Sequence, residues 1–212
     1  MEAQSCIRVL CVDDHPLIRN GIARDLEDAP DLVLVGLAAT GLEAVAAYRN
    51  HRPDVTLVDL RLPDIDGVEV IHRIKAEYPH ARCVMLTTFS GDVQVSRALK
   101  AGAVGYLLKS TLDKDLIDTI RRVHAGHRCI PKEIASELAE HLHVDNLSLR
   151  ELEILKVVAE GNSNKIVGDR LNISEETVKG HMKNILMKLN ANDRTHAVMI
   201  ALKRGYFDVR SQ

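Results

Sequence analysis

The chain has 212 residues, a formal net charge of −2 and 46% hydrophobic residues. That length exceeds one ordinary domain and that apolar share supports a proper core, so two domains are expected. No run of about 18 apolar residues occurs, and no basic region leads into an apolar stretch with a small-residue cleavage site, which predicts a soluble, cytoplasmic protein without a membrane span.

Four cysteines, Cys6, Cys11, Cys83 and Cys129, form no Cys-x-x-Cys pair, and three of them lie in strand-like apolar runs. They read as buried, reduced thiols rather than a zinc or redox site. Charge is uneven along the chain. Residues 146–212 hold 11 Lys and Arg against 8 Asp and Glu, a surplus that invites a search for nucleic-acid motifs there.

In chain order, apolar runs at Ile7 to Val12, Leu32 to Ala38, Val55 to Val58, Cys83 to Thr87 and Val104 to Leu108 read as strands. Between and after them lie segments of helical period. The first carries Leu17, Ile18, Ile22 and Leu26, and the last carries Leu116, Ile120 and Val123. Five alternating strands and helices predict a parallel sheet covered on both faces, with right-handed crossovers.

The third run, Val55 to Val58, is apolar enough for a strand buried on both faces, and it ends at Asp59. Open α/β sheets bind ligands at the carboxyl ends of their strands, so Asp59, followed by a loop with Pro63 and Gly67, is a site candidate. Capping the next helix is the other use of an acid here, and it suits Asp64 or Asp66 better. The other strands end at Asp13-Asp14, Thr87-Thr88 and Lys109. Three converging carboxylates repel one another, and hard oxygen ligands with room for water suit Mg²⁺. An ionised Asp59 is then a nucleophile towards phosphorus, with Lys109 as a fixed positive charge and Thr87 as a hydroxyl donor for the phosphoryl oxygens.

Through Val-Asp13-Asp14-His, Asp59-Leu-Arg-Leu-Pro63-x-x-x-Gly67, Thr87-Thr88 and Gly105-Tyr106-Leu-Leu-Lys109, residues 6 to about 126 resemble the receiver domains of bacterial two-component response regulators. The resemblance implies a flavodoxin-like five-stranded sheet of order 2-1-3-4-5, with Asp59 as phosphoacceptor. It implies a Mg²⁺ site of Asp13, Asp14 and Asp59 with the Arg61 backbone carbonyl. It also implies a switch in which Thr87 moves towards the phosphoryl group and Tyr106 turns inward behind it. A half-buried Tyr106 with its hydroxyl in water is the plainer reading. Ser110 stands where many receivers have proline, so no cis Lys-Pro bond is available.

Residues 127–146 read as a linker, in which Pro131 opens a short helical pattern through Ile134, Leu138 and Leu142. His141 and His143, two apart, read as solvated. From residue 147 the strand signal stops. Ser148, Ser163 and Ser174 are candidate caps for three helices, and Asn172-Ile173 is the tight connection of a helix-turn-helix. On the third helix Val178, Met182, Ile185 and Leu189 form an inward stripe. Thr177, Gly180, Lys183 and Asn184 face outward, flanked by Lys179 and Lys188, as phosphate and base-edge contacts in a major groove would require.

Leu-Ser-Leu-Arg150-Glu151-x-Glu153-Ile-Leu, Gly161-x-Ser-Asn164-Lys165 and Thr177-Val-Lys179-x-His181-x-x-x-Ile-x-x-Lys188-Leu resemble the LuxR-type helix-turn-helix over 147 to about 208. Ile166 and Gly168 depart from the more usual acidic residue and alanine, and Gly168 is expected to cost its helix about 1 kcal/mol relative to Ala. The whole chain thus resembles response regulators of the NarL/FixJ type. It is expected to comprise a receiver over 1–126 and an all-α DNA-binding domain over 147–212. The implied partners are a histidine kinase, promoter DNA and, when phosphorylated, a second copy of the chain. A phosphohydrolase on such a sheet would carry a second acid two residues after its nucleophile, where Arg61 stands, so no enzyme is expected. A helical domain that grips protein rather than DNA, and a phosphate-independent dimer scaffold, stay open beside the DNA reading.

Overall fold

The computed structural model describes residues 6–88, 91–132, 134–136 and 146–207. The chain divides into two compact units, the first of Met1–Ser90 and Val95–Ala135 and the second of Gly91–Gln94 and Ser136–Gln212. Among the described residues no helix is long and apolar enough to cross a membrane.

The first unit alternates β1 (Ile7–Val12), α1 (Pro16–Glu27), β2 (Leu32–Ala38), α2 (Gly41–His51), β3 (Val55–Asp59), α3 (Gly67–Glu77), β4 (Cys83–Thr87), α4 (Asp92–Lys100), β5 (Gly105–Leu108) and α5 (Leu112–His124). All four strand pairings are parallel and the order is β2-β1-β3-β4-β5, as the β-α alternation requires. The two-residue pleat splits the central strands. Val9, Cys11, Val55, Leu57, Val84 and Leu86 pack with Ile22 and Leu26 of α1 and with Leu116, Ile120 and Val123 of α5. Leu10, Val12, Val58 and Met85 alternate with them and are fully buried too.

Local chemistry explains how several helices begin. Asp66 caps α3 by accepting from the Glu69 N–H at 2.8 Å. Asp64 serves a different helix: its two oxygens accept from Gly41 and Leu42 N–H at 2.7 and 2.8 Å, at the open end of α2. Gly67 presses α3 onto the end of β3, where an added Cβ would lie 2.1 Å from the Asp59 carbonyl oxygen. In α1, Ile22 and Leu26 are buried but Leu17 is 85% exposed; it lies one residue after Pro16, before the inward stripe begins. The segment after α5 completes the sheet edge. Tyr106 N–H donates to Cys129 O at 2.8 Å and Cys129 N–H to Val104 O at 3.0 Å, so the outer backbone of β5 is paired.

Of the expected buried thiols, Cys11, Cys83 and Cys129 are buried, whereas Cys6 is exposed just ahead of β1. Burial pushes the Cys11 and Cys83 thiols up to about 12, so neither is a thiolate at neutral pH. Ile134 is fully buried, while Leu138, Leu142, His141 and His143 lie outside the described residues.

The second unit holds α6 (Leu149–Ala159), α7 (Asn164–Leu171), α8 (Glu175–Leu189) and α9 (Arg194–Lys203). Ser148, Ser163 and Ser174 cap the first three, and Ser148 with Glu151 forms a reciprocal capping box. Ile154, Leu155, Val158, Val167, Val178, Met182, Ile185, Leu189, Ala197 and Ala201 share one core. Asn172, left-handed at φ 53°, ends α7. The chain then doubles back so closely that a Cβ at Gly168 would lie 2.7 Å from the Ile173 carbonyl oxygen.

Gly168 is therefore a contact requirement of the turn, and not simply a weak point of α7. Gly168→Ala is expected to lower the stability of this unit by about 1 kcal/mol, because overpacking of about 1–3 kcal/mol outweighs the propensity gain of about 1 kcal/mol. Calorimetry of the full chain checks this, and a raised melting temperature for the helical unit is the contrary result.

Candidate functional site

The parallel register builds the first site. Val12 pairs with Val58 and Asp59 with Leu86, which carries Asp13, Asp59 and Thr87 to one edge of the sheet. Lys109 follows β5 in a short 3-10 turn, Lys109–Thr111. Asp13, Asp59 and Thr87 are all buried. The Lys109 ammonium lies 2.7 Å from Asp13 Oδ2 and 2.8 Å from Asp59 Oδ2. One ammonium thus faces an oxygen of each carboxylate at ion-pair distance.

Burial pushes the Asp59 carboxyl up, and the nearby Asp13 charge adds to that; Lys109 and the Arg61 backbone N–H pull the other way without cancelling it. For Lys109, burial favours the neutral amine, but the two carboxylates outweigh it and hold its pKa above the usual lysine value. The ammonium is thus a permanent positive charge. Tyr106 is 1% exposed, and its phenol is pushed up to about 12 by burial, despite a hydrogen-bond contact with Thr87. The ring therefore lies inward beside Thr87 and not half in water.

Asp14 is exposed at the rim. His15 and Arg19 are the residues that strand-end reasoning passed over. His15 Nδ1 lies 2.5 Å from Asp14 Oδ1 and 3.2 Å from Asp13 Oδ1, and Arg19 donates to the Asp13 carbonyl at 2.6 Å. One ligand atom each from Asp13, Asp14, His15 and Asp59 lies within 4.8 Å of all the others. This cluster can hold a metal ion. The Asp-Asp-His run was the available signal for His15.

The outward face of α8 is the second candidate. Thr177, Lys179, Gly180, Lys183 and Asn184 are exposed and His181 is half-buried. Lys179 lies 3.2 Å from Glu175 and 3.7 Å from Glu176 in the first turn. Lys188 is placed differently, 2.8 Å from Glu151 Oε2 with Glu151 buried on α6. Its ammonium ties α8 to α6. Burial would raise the Glu151 carboxyl, but Lys188 and the Ser148 cap outweigh burial and leave its pKa below the usual value.

Its folded pKa being depressed, Glu151 contributes stability above about 4.5, its usual value, and that contribution is lost as pH falls through the lower folded value. Lys188→Ala is expected to cost this unit about 1–2 kcal/mol at neutral pH, discounted because the lysine is partly exposed, and to flatten its acid dependence. Denaturant titrations across the acid range check it; unchanged neutral stability would show that the pair is idle.

Residues 9–121 match the family model for the response regulator receiver domain, and residues 145–201 match that for bacterial regulatory proteins of the luxR family. The chain belongs to the response regulators of the NarL/FixJ type. This response regulator is 39% identical over 204 residues to the response regulator protein VraR of Staphylococcus aureus, covering 94% of this chain and 98% of VraR. Among solved structures, the response regulator ChrA of a heme-sensing two-component system is 31% identical, with a TM-score of 0.57 over 96% of this chain and 100% of that one. The RcsB response regulator of Salmonella typhimurium is 25% identical, with a TM-score of 0.63 over 92% and 97%. The protein is thus a transcription factor with a receiver and a LuxR-type DNA-binding domain.

Proposed function

We propose that this response regulator accepts a phosphoryl group from a histidine kinase on Asp59, and that the modification controls dimerisation and sequence-specific binding to promoter DNA in the cytoplasm. The observation that carries this reading is the Asp59 carboxylate, buried at the tip of β3 with Lys109 2.8 Å away. An Asp59 oxygen attacks phosphorus, the P–N bond to the kinase imidazole breaks, and its electron pair returns to the ring, which takes a proton from water. The carboxylates of Asp13 and Asp59, buried beside the exposed Asp14, carry more negative charge than the single Lys109 ammonium balances, which fits a hard divalent cation. Asp13, Asp14, Asp59 and the Arg61 carbonyl would hold Mg²⁺, which supplies charge neutralisation for the phosphoryl oxygens.

Lys109 then pairs with a phosphoryl oxygen instead of with carboxylates alone, and Thr87 donates its hydroxyl to another. Tyr106, in contact with Thr87, couples that movement to β5. Residues 1–126 form the receiver, 127–146 the linker and 147–212 the DNA-binding domain. In the last, α8 enters the major groove, with Thr177, Gly180, Lys183 and Asn184 facing the DNA and Lys179, His181 and Lys188 at the flanks. A dimer would hold two such helices about 34 Å apart on a two-fold site. RcsB, described for its DNA interaction, is a similar chain that supports this reading.

Titration of wild type and Lys183→Ala against an inverted repeat and a scrambled duplex, with and without a phosphodonor, tests it. Lys183 is exposed and no ion pair of it occurs among the described residues, so its loss should leave folding intact. It should reduce the salt slope by about one unit if it meets a phosphate, or cost about 1–3 kcal/mol at one base pair if it meets guanine. Unchanged affinity, or 1:1 binding indifferent to the repeat and to phosphorylation, would overturn the proposal.

A further inference from the structure

We propose that Gly180 and Met187, on the centre line of the outward face of α8, read thymine through its 5-methyl group: the Met187 thioether packs on a methyl, and the bare Gly180 backbone lets the helix seat against the base edges. The inference rests on the proposed docking of α8 in the major groove and deepens it by naming a base chemistry that the polar flanks of the helix do not read.

Helical geometry singles out these two positions. At about 100° per residue, Gly180 and Met187 lie about 20° apart, and each stands about 170° from the mean direction of Val178, Met182, Ile185 and Leu189. Those four are the buried residues of the helix, so the line points away from the core. Thr177 and Asn184 lie to one side of it and Lys183 to the other, all of them exposed. The face is an apolar line between polar flanks.

Folding explains neither residue. Met187 is 73% exposed, whereas Met182, five residues earlier, is buried in the core. A Cβ at Gly180 would meet no described atom within 4 Å, so no neighbour requires glycine there, in contrast to the tight turn at Gly168. Glycine inside a helix costs stability relative to alanine, because more backbone freedom is lost on folding. A destabilising residue and an exposed apolar one thus share a line that the folded unit does not use, and a partner surface accounts for both.

Groove chemistry names the base. In the major groove the thymine 5-methyl is the apolar group on a base edge, and it is read by apolar contact, whereas the remaining edges offer donors and acceptors suited to Lys183 and Asn184. Gly180 and Met187 are about 10 Å apart along the helix axis, which matches about three base steps of about 3.4 Å. The thioether is flexible and polarizable, so it can settle on a methyl whose position shifts with local DNA shape. At Gly180 the absent Cβ brings the backbone itself to the groove floor, and an alanine methyl would hold the helix off.

The test uses the full chain, with and without a phosphodonor, to select duplexes from a random-sequence pool. The selected duplex is then rebuilt with deoxyuridine in place of each thymine in turn, a change that removes only the methyl. Wild type is expected to lose affinity about three- to fivefold at a particular thymine. Met187→Ala should bind the thymine and deoxyuridine duplexes alike, while Met187→Leu keeps the difference. Gly180→Ala is expected to raise the melting temperature of the helical unit yet weaken the selected duplex by about fivefold or more. Both positions are exposed, so the variants should keep their fold, which circular dichroism checks. A thymine preference that is absent from the wild type or survives Met187→Ala, or a Gly180→Ala protein that binds as tightly as wild type, would overturn the inference and leave the docking of α8 standing. A pool from which no sequence is enriched in either condition would instead sink the DNA reading itself.

Discussion

Asp59→Asn protein incubated with a phosphodonor and Mg²⁺ is expected to take up no phosphoryl label. The effect is complete because the change removes the nucleophile while keeping its shape. The amide is isosteric, can still accept from the Arg61 N–H that contacts Asp59, and removes the charge that Asp13 repels. Folding should survive for the same reason, so lost labelling cannot be blamed on a collapsed receiver. Asp59 ends the central strand β3 as a buried carboxylate with Lys109 at 2.8 Å, and Asp13, buried after β1, shares the same ammonium at 2.7 Å. Wild type should also lose its label when the divalent cation is chelated, since the buried carboxylates then confront the incoming phosphoryl oxygens without their counter-charge. Peptide mapping of the label decides the matter, and stable labelling of the variant at another residue would defeat the assignment.

Lys109→Ala should separate phosphorylation from its consequence. In the wild type one ammonium lies against two buried carboxylates, and its removal leaves both without a paired charge, at a cost of about 3 kcal/mol. A bound divalent cation offsets most of this, contributing about 2.7 kcal/mol at a hundred times its dissociation constant. The variant should therefore melt early in chelator and recover with Mg²⁺. Attack by Asp59 does not use the lysine, so phosphate occupancy should remain substantial. Dimerisation should not follow, because no fixed charge draws the phosphoryl group across the site. Occupancy by mass spectrometry beside sedimentation analysis makes the comparison, and a phosphorylated variant that dimerises as wild type does would remove Lys109 from the switch.

Much of this site was legible because strands advertise where they stop. Val55 to Val58 is apolar without alternation, so a strand buried on both faces was the economical reading, and the acid after it had to lie at an edge. The same logic marked Asp13, Thr87 and Lys109. The inward stripe of α8 was legible from period alone, and Val178, Met182, Ile185 and Leu189 are all buried. Leu17 is apolar yet exposed because, at 3.6 residues per turn, it lies about 100° off the stripe of Ile18, Ile22 and Leu26 that packs on the core.

Local pattern determined which segments become strands and helices, because side-chain period and capping act over a few residues. It also placed Asp13, Asp59, Thr87 and Lys109 at the strand ends. Partnerships between distant residues were decided by tertiary structure. Asp64 reads as a cap for the nearby α3, yet it serves α2, more than 20 residues away. Lys188 lies beside the outward face of α8 by period, yet packing of α6 on α8 brings it to Glu151, 37 residues distant. Gly168 reads as a helix weakness until the turn folds back within 2.7 Å of the place for its Cβ. His15 reads as the last residue before a helix until its ring is seen against Asp13 and Asp14. In each case the deciding quantity is a distance set by how whole elements pack, and no window of a few residues contains it.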